Sequence, residues 1–515
     1  MLQIGFGWAA FGIVAICTVL LNIIIIKYYS DKHQSEKFTT IVSIIGLTTA
    51  LLCVMIIPVD ILNVSTMSNS LGNITISQND IDQRNLSLRI FYYAFYGFTL
   101  LFALVMMPFA YFYYEEEDEA SGVTTGARIL GACKYTSFTI VFAIVLFIVG
   151  AFIRPGSNKP VDNQNAKDWL EQELLNQNAA VSSMIFAIAC LTILGFLVWF
   201  VFTAFGLSAF PIGLIKGRRR VSDDRHDITE NIYKTREKAN YYSSKYASGK
   251  AMSANEEQTL SLLKSKERVL QKHSSRLDAS NSGIRKILVV VRPFTFIFGF
   301  IFLLISLLLI ISIVLSIIDK LSSSVCGAAC GFLTDYPKLK NPIDLMLSAS
   351  APYFPLDYIL LGLLILYVYI ATLSGIVKIG IRFLWIKLYE FTPSRTAPQA
   401  LLIASVILML SNLCLNIQIV QLAPQYAMFG TQVWYNVTSN AIESCTINAP
   451  PSACVMTQIG LLISRVEMGT SFFGVIFYYA TWGIVAAFII GSIISIIRKP
   501  KSNIVAYGDD SDEEI

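Results

Sequence analysis

Histidine is nearly missing from this chain. Three occur in 515 residues, His33, His226 and His273, and all stand in polar stretches. No apolar run therefore holds a histidine for a metal or a proton relay. Charge is scarce as well: 14% of residues are Asp, Glu, Lys or Arg, against roughly 25% in a soluble domain. With 55% hydrophobic residues, an ordinary water-soluble fold is excluded. Three catalytic motifs are absent: G-x-x-x-x-G-K-[ST], H-E-x-x-H and G-x-S-x-G. Without the first the chain has no phosphate-cradling loop, so it is no primary ATP-driven pump unless a partner brings the ATPase. Without the others no enzyme class suggests itself, and the chain reads as a non-enzyme.

What the chain has is long apolar runs. A helix crosses ~30 Å of hydrocarbon in ~20 residues, and these runs are continuous, where a β-barrel would alternate. The fold class is therefore all-α, a polytopic membrane protein with nine predicted spans. They cover about 4–26, 38–62, 90–112, 129–153, 181–207, 293–318, 357–377, 398–422 and 472–497. The predicted organisation is spans 1 to 5 in residues 1–213, a basic loop over 214–292, spans 6 to 9 in 293–497 and an acidic tail over 498–515. Span 5 is expected to end near Pro211.

The basic loop carries 18 Lys and Arg against 9 Asp and Glu, a net +9, while the whole chain is only +4. Basic loops beside spans stay in the cytosol. That places the N-terminus outside or in a lumen and the C-terminus inside. The sequons at Asn63, Asn73, Asn85 and Asn436 then all fall in lumenal or extracellular loops, as candidate glycosylation sites. Cys326, Cys330, Cys445 and Cys454 lie on the same side, as expected for disulfides in an oxidising compartment. Four cysteines allow three pairings.

Within the loop, Ile228, Ile232, Thr235, Ala239, Tyr242 and Tyr246 step by three and four. So do Leu260, Leu263, Glu267, Leu270, Ser274 and Leu277. Two such seams, broken at Ser248-Gly249 and restarted by a Ser253–Glu256 capping box, predict an antiparallel cytosolic helical hairpin. The other reading is a loosely helical linker. Lys216, Arg218, Arg219 and Arg220 are candidates for docking a partner or the lipid bilayer, or else a plain stop-transfer anchor. No nucleic-acid partner is expected.

Polar residues at membrane depth are candidate ligand contacts. Asn412 and Asn416 lie one turn apart on span 8 with Gln418 nearby, and Asn22 is in span 1; interhelical hydrogen-bond glue is the alternative. Pro58-Val59-Asp60 and Pro355-Leu356-Asp357 are similar tripeptides at the same side of spans 2 and 7, so Asp60 and Asp357 are candidates for lining an entrance between related halves.

Several stretches together resemble the LMBR-like membrane proteins, and among them the lysosomal cobalamin transporters. They are Pro58-Val59-Asp60-Ile61, Pro108-Phe109-Ala110-Tyr111-Phe112-Tyr113-Tyr114-Glu115-Glu116 and Leu214-Ile215-Lys216-Gly217. To these add Phe354-Pro355-Leu356-Asp357-Tyr358-Ile359-Leu360, Pro398-Gln399-Ala400-Leu401-Leu402 and Leu422-Ala423-Pro424-Gln425-Tyr426-Ala427-Met428. The resemblance spans nearly the whole chain. It implies export of cobalamin from lysosome to cytosol, with cobalamin as substrate and no permanently bound cofactor. It also implies two partners, an ABC transporter and a cytosolic cobalamin-processing chaperone, and a lysosomal location, with plasma membrane as the alternative. The rival class is a membrane receptor or scaffold that traffics and holds the ABC carrier, or a lipocalin-type receptor.

Overall fold

The computed structural model describes residues 2–31, 36–69, 71–116, 125–152, 179–217, 221–246, 254–279, 284–323, 339–383, 386–436, 440–446, 449–450, 453–469 and 471–498. Among them nine helices are long and apolar enough to cross a membrane. These are spans 1 to 9: Ile4–Tyr29, Lys37–Ser65, Gln78–Glu115, Thr125–Phe152, Val181–Lys216, Pro293–Ser322, Leu356–Ile379, Pro398–Leu422 and Phe473–Ile497. The apolar runs thus give the expected number. Span 3 starts a dozen residues earlier than its apolar run, because the polar stretch from Gln78 is already helical.

Among the described residues three short helices and two hairpins, none of them evident from the apolar pattern, fill connections between spans. The helices are Pro342–Ser350, Pro424–Phe429 and Gln458–Gly469. Strand β1 (Ile381–Phe383) pairs antiparallel with β2 (Ile386–Tyr389). Strand β3 (Val433–Asn436) pairs with β4 (Ala441–Ser444), Val433 opposite Ser444 and Asn436 opposite Ala441.

Prolines bend the spans without ending them. Span 2 breaks at Ile56, just before Pro58, and restarts as Ile57–Ser65. Span 5 does not stop at Pro211 as expected but continues to Lys216. Pro211 has no N–H for the carbonyl of Leu207, and Ser306 Oγ donates to that carbonyl instead, at 2.6 Å. Inside a membrane protein a neighbouring hydroxyl can replace the lost bond. Spans 3 and 5 each also contain one π turn, Phe102–Met106 and Trp199–Thr203.

The chain divides into two compact units. The first comprises Met1–Ala209 and Ile305–Ser492. Its axis is span 8, of whose membrane window 78% is buried, against 11% for span 4. The outward side chains of span 4, such as Phe138, Phe142 and Ile148, are apolar and exposed, as lipid contact requires. Span 5 lies hard against spans 7 and 8. A Cβ added to Gly206 would sit 2.0 Å from the Ala371 carbonyl oxygen, and one on Gly375 2.0 Å from that of Phe202. Small residues let membrane helices approach this closely. Beside that crossing the hydroxyls of Thr203, Thr372 and Ser411 lie 3.0 to 3.4 Å apart, and Trp199 Nε1 donates to the Ser411 carbonyl at 3.0 Å.

The second unit comprises Phe210–Leu304 and Ile493–Ile515. It holds the expected hairpin, with arms Val221–Tyr246 and Ala254–Ala279. Arg236 meets Glu267 at 2.8 Å and Lys245 meets Glu256 at 3.0 Å, so the arms run antiparallel. Ile228, Thr235 and Ala239 are buried along the first seam. Glu267 sits in its seam as the partner of Arg236. Ser253 of the supposed capping box is outside the described residues.

Filling the crossing of spans 5 and 7 should be costly. Gly375→Ala is expected to lower stability by about 1–3 kcal/mol through overpacking, with a thermal midpoint several degrees lower. Thermal unfolding of the purified chain, followed by size exclusion, checks this; an unchanged midpoint would show that the helices can separate freely.

Candidate functional site

The similar tripeptides of spans 2 and 7 lead to one place. Below the kink at Pro58, Asp60 is fully buried. Its Oδ1 accepts the N–H of Gln458 at 3.1 Å and its Oδ2 that of Ile459 at 2.8 Å. The first N–H groups of a helix have no partner within it. Asp60 thus caps helix Gln458–Gly469 through space, where the helix dipole also favours a negative charge. Each charge-assisted bond of this kind is worth about 1.5–3 kcal/mol.

The second carboxylate, Asp357, is 1% exposed. Its Oδ2 accepts the Tyr426 hydroxyl at 2.6 Å, while Oδ1 has no hydrogen-bond partner. A third carboxylate joins them. Asp344, in the first turn of helix Pro342–Ser350, accepts the N–H groups of Tyr426 and Gln425 at 3.0 and 3.3 Å. Helix Pro424–Phe429 is therefore capped from outside as well. Thr457 closes the junction, its N–H on the Met428 carbonyl and its hydroxyl on that of Ala427, both at 2.8 Å. Gly430, at φ +61°, passes so close to Ser65 that a Cβ there would sit 2.2 Å from Ser65 Oγ. The motif Leu422-Ala423-Pro424-Gln425-Tyr426-Ala427-Met428 is the element that spans 2 and 7 grip. Burial pushes the Asp344 carboxyl up to about 6, against the pull of its two N–H donors. The Tyr426 hydroxyl is raised far above its ordinary value by burial and then by the charge of Asp357.

Span 8 carries buried amides on two faces. Asn412 and Asn416 lie one turn apart, with Asn416 against Cys53 of span 2. Gln418 and Gln421 lie on the opposite face by helical spacing, with Gln421 against Thr481 of span 9. Asn412, Asn416, Gln418 and Gln421 are all buried and cover about 14 Å of helix at 1.5 Å per residue. Gln418 Nε2 donates to Gln421 Oε1 at 2.8 Å, and the Thr481 hydroxyl reaches the same oxygen at 3.4 Å. Asn416 Nδ2 donates to the Asn412 carbonyl at 3.4 Å. Four atoms are left without a partner: Asn412 Nδ2, Asn416 Oδ1, Gln418 Oε1 and Gln421 Nε2. Each such buried atom costs about 1–3 kcal/mol, unless water or a ligand takes it up. Asn22 differs. It donates to Thr48 at 3.2 Å and accepts from Tyr369 at 2.8 Å, which is interhelical glue. Among the described residues no cluster of three His, Cys, Asp or Glu could hold a metal ion.

The remaining expectations divide. Cys445 and Cys454 form a disulfide; Cys326 and Cys330 lie outside the described residues. Asn73 is exposed, and Asn85 and Asn436 are half-buried. Asn63 is 4% exposed and its amide donates to Asn85 Oδ1 at 3.4 Å, so a glycan there would have to displace packed side chains. Lys216 is engaged within the chain. Its ammonium donates to the carbonyls of Ser495, Ile496 and Arg498 at 2.9, 2.5 and 2.7 Å. A lysine has three donors, and all three are spent capping the C-terminal end of span 9. Arg218, Arg219 and Arg220 lie outside the described residues. Sequence reasoning missed Asp344, Gln421, Tyr426 and Thr457 as site residues. Asn341-Pro342, an N-cap followed by proline at the first helical position, was the readable sign of the helix that carries Asp344.

A family model described as LMBR1-like membrane protein matches residues 8–291. The chain belongs to the LMBR1-like membrane protein family. A probable lysosomal cobalamin transporter of Dictyostelium discoideum is 61% identical, over 100% of both chains. One of Nematostella vectensis is 35% identical, over 99% of this chain and 98% of its own. The lysosomal cobalamin transport escort protein LMBD1 of Xenopus tropicalis is 33% identical, over 99% of this chain and 96% of its own. No solved structure matches. In this LMBR1-like chain the family model covers Asp60 and the hairpin, while Asp344, Asp357, Tyr426 and the buried amides of span 8 lie beyond residue 291.

A pH dependence of the junction is expected from Asp344. Its folded value near 6 stands above the ordinary 3.8. Its contribution is therefore complete below about pH 4, and is lost as pH rises through 6, by up to ~3 kcal/mol. Thermal midpoints of the purified chain should fall from about pH 4 to 7, and Asp344→Asn should flatten that dependence. Parallel curves for the two proteins would contradict the assignment.

Proposed function

We propose that this protein serves the export of cobalamin from the lysosome lumen to the cytosol, as the transporter or as an essential subunit of it, in the lysosomal membrane. The observation that carries this is the 61% identity, over the full length of both chains, to a relative named probable lysosomal cobalamin transporter. The buried amides of span 8 support it chemically. Cobalamin is bordered by neutral amides, and Asn412, Asn416, Gln418 and Gln421 offer neutral donors and acceptors left without partners. The chain's three histidines stand outside its apolar runs, so none within a span could replace the lower cobalt ligand. Contact would run through the corrin periphery.

In this reading the N-terminus faces the lumen and the C-terminus the cytosol. Two features agree with it. Asn63 touches Asn85, and the Trp434 backbone lies against Gly72, so the sequon-bearing segments gather at one end of the bundle; β4, next to them, leads into the Cys445–Cys454 disulfide. The hairpin would then project into the cytosol and dock the ABC transporter that supplies the ATPase and the chaperone that receives the product. The chain itself performs no catalysis. Asp60 and Asp357 act in this scheme by holding the lumenal end together around Tyr426.

A strain lacking the protein should accumulate cobalamin in lysosomes several-fold over wild type, and the full-length chain should reverse this. Normal lysosomal cobalamin in that strain would sink the proposal. Liposomes holding the purified chain separate the two forms of it, since uptake of labelled cobalamin without the ABC partner makes the chain the transporter. Uptake only with the partner makes it a subunit. Replacing Arg218, Arg219 and Arg220 by Glu should reduce co-purification of the ABC partner, and unchanged recovery would remove these arginines from the docking surface.

A further inference from the structure

The start of span 1, the kinked end of span 2 and the first turns of span 3 enclose a partly open cavity of about 80 Å³. Ile4, Trp8, Val59, Leu62 and Leu88 form its apolar walls, and Asn63, Arg84 and Ser87 enter it as polar groups. Arg84 Nη1 is buried there with no hydrogen-bond partner. Neither Asp80 nor Asp82 on the same turns pairs with it; both are exposed, and Asp82 accepts from Gln78 at 3.4 Å. The next cation along, Arg89, is engaged by Gln458 at 3.2 Å. A guanidinium keeps its charge at any ordinary pH; Arg84 is half-buried, and a donor of a charged group that is buried without an acceptor is costly. The site therefore wants an anion.

We propose that this cavity binds one acidic phospholipid drawn from the surrounding bilayer, its phosphate on Arg84 and the first part of an acyl chain against Ile4, Trp8, Leu62 and Leu88. A free inorganic anion would satisfy Arg84 but leave the apolar walls bare. The position agrees with a lipid. Arg84 precedes the apolar run from Ile90 by six residues, about 9 Å of helix, which is headgroup depth. Trp8 packs on Phe91 with ring centroids 5.0 Å apart, and aromatic rings of this kind mark the membrane interface. Span 1, which forms one wall, shows lipid an exposed apolar face at Phe6, Ile13 and Ile16. The bound lipid would wedge spans 1, 2 and 3 together next to the Asp60 cap.

Native mass spectrometry of the purified full-length chain, titrated with phosphatidylglycerol or phosphatidylcholine, tests this. The wild type should hold one phosphatidylglycerol about tenfold more tightly than phosphatidylcholine. Arg84→Gln should abolish that preference and Arg84→Lys should keep part of it, with thermal midpoints confirming that both variants fold. A preference that survives Arg84→Gln overturns the assignment. So does equal binding of the two lipids by the wild type, or binding of oleate in place of phosphatidylglycerol.

Discussion

Asp60 holds a negative charge where no water reaches, and the end of the bundle that carries the sequons depends on how that charge is met. Removing a carboxylate from water costs several kcal/mol. Two backbone N–H groups at the start of helix Gln458–Gly469 offset part of it, aided by that helix's dipole. The arrangement binds in both directions. Without the carboxylate the helix would present unsatisfied N–H groups to a buried interior, and without the helix span 2 would carry a buried, uncompensated charge. Asp344 repeats the device at helix Pro424–Phe429, and Asp357 with Tyr426 links the two. The segment between spans 8 and 9 thereby becomes a fixed plug seated on spans 2 and 7.

Below that plug span 8 combines two demands that usually conflict. It is the most enclosed helix of the bundle, and close packing ordinarily selects apolar residues with nothing left to satisfy. Yet it carries four amides, a pair on each of two opposite faces, and only part of their capacity is used. Asn22 shows what the same side chain does when its role is purely adhesive, because both ends of its amide are taken. That contrast within one bundle separates an amide that serves as glue from amides with donors and acceptors to spare. Asn412 and Asn416 were visible in the sequence because an amide in an apolar run stands out. Gln421 was not, since it sits at the end of the run, where a polar residue needs no explanation.

Legibility followed the range of the interaction. Hydropathy and heptad spacing act within a few turns, so the spans and the hairpin arms could be read directly, down to the buried Ile228, Thr235 and Ala239. Capping acts across the chain. Asp60 and Gln458 are separated by 398 residues, and nothing in Pro58-Val59-Asp60 names its distant helix. Lys216 shows the same limit from the other side. A lysine after a span reads as a cytosolic anchor, but its three donors close carbonyls about 280 residues further on. Pro211 was misread for a related reason, since the rule that proline ends a helix assumes that no neighbour can serve the freed carbonyl, and Ser306 does.

The stretches that carry the family resemblance now have a common physical basis. In the middle of a span the backbone satisfies itself, and any residue that is apolar and fits will serve. At a span's end four N–H or four C=O groups need partners in a place where water is scarce, and few side chains have the right donors at the right reach. Asp60, Asp357, Tyr426 and Lys216 all work at such ends, and Pro398 occupies the first turn of span 8, where no N–H is needed. The aromatic stretch closing span 3 belongs with them: Arg128 lies 4.3 Å above the Tyr113 ring and donates to the Tyr113 carbonyl at 3.2 Å. Sequence identity at membrane depth is cheap to satisfy in many ways, whereas the chemistry of the ends has few solutions. Motifs in a protein of this kind therefore collect where helices stop.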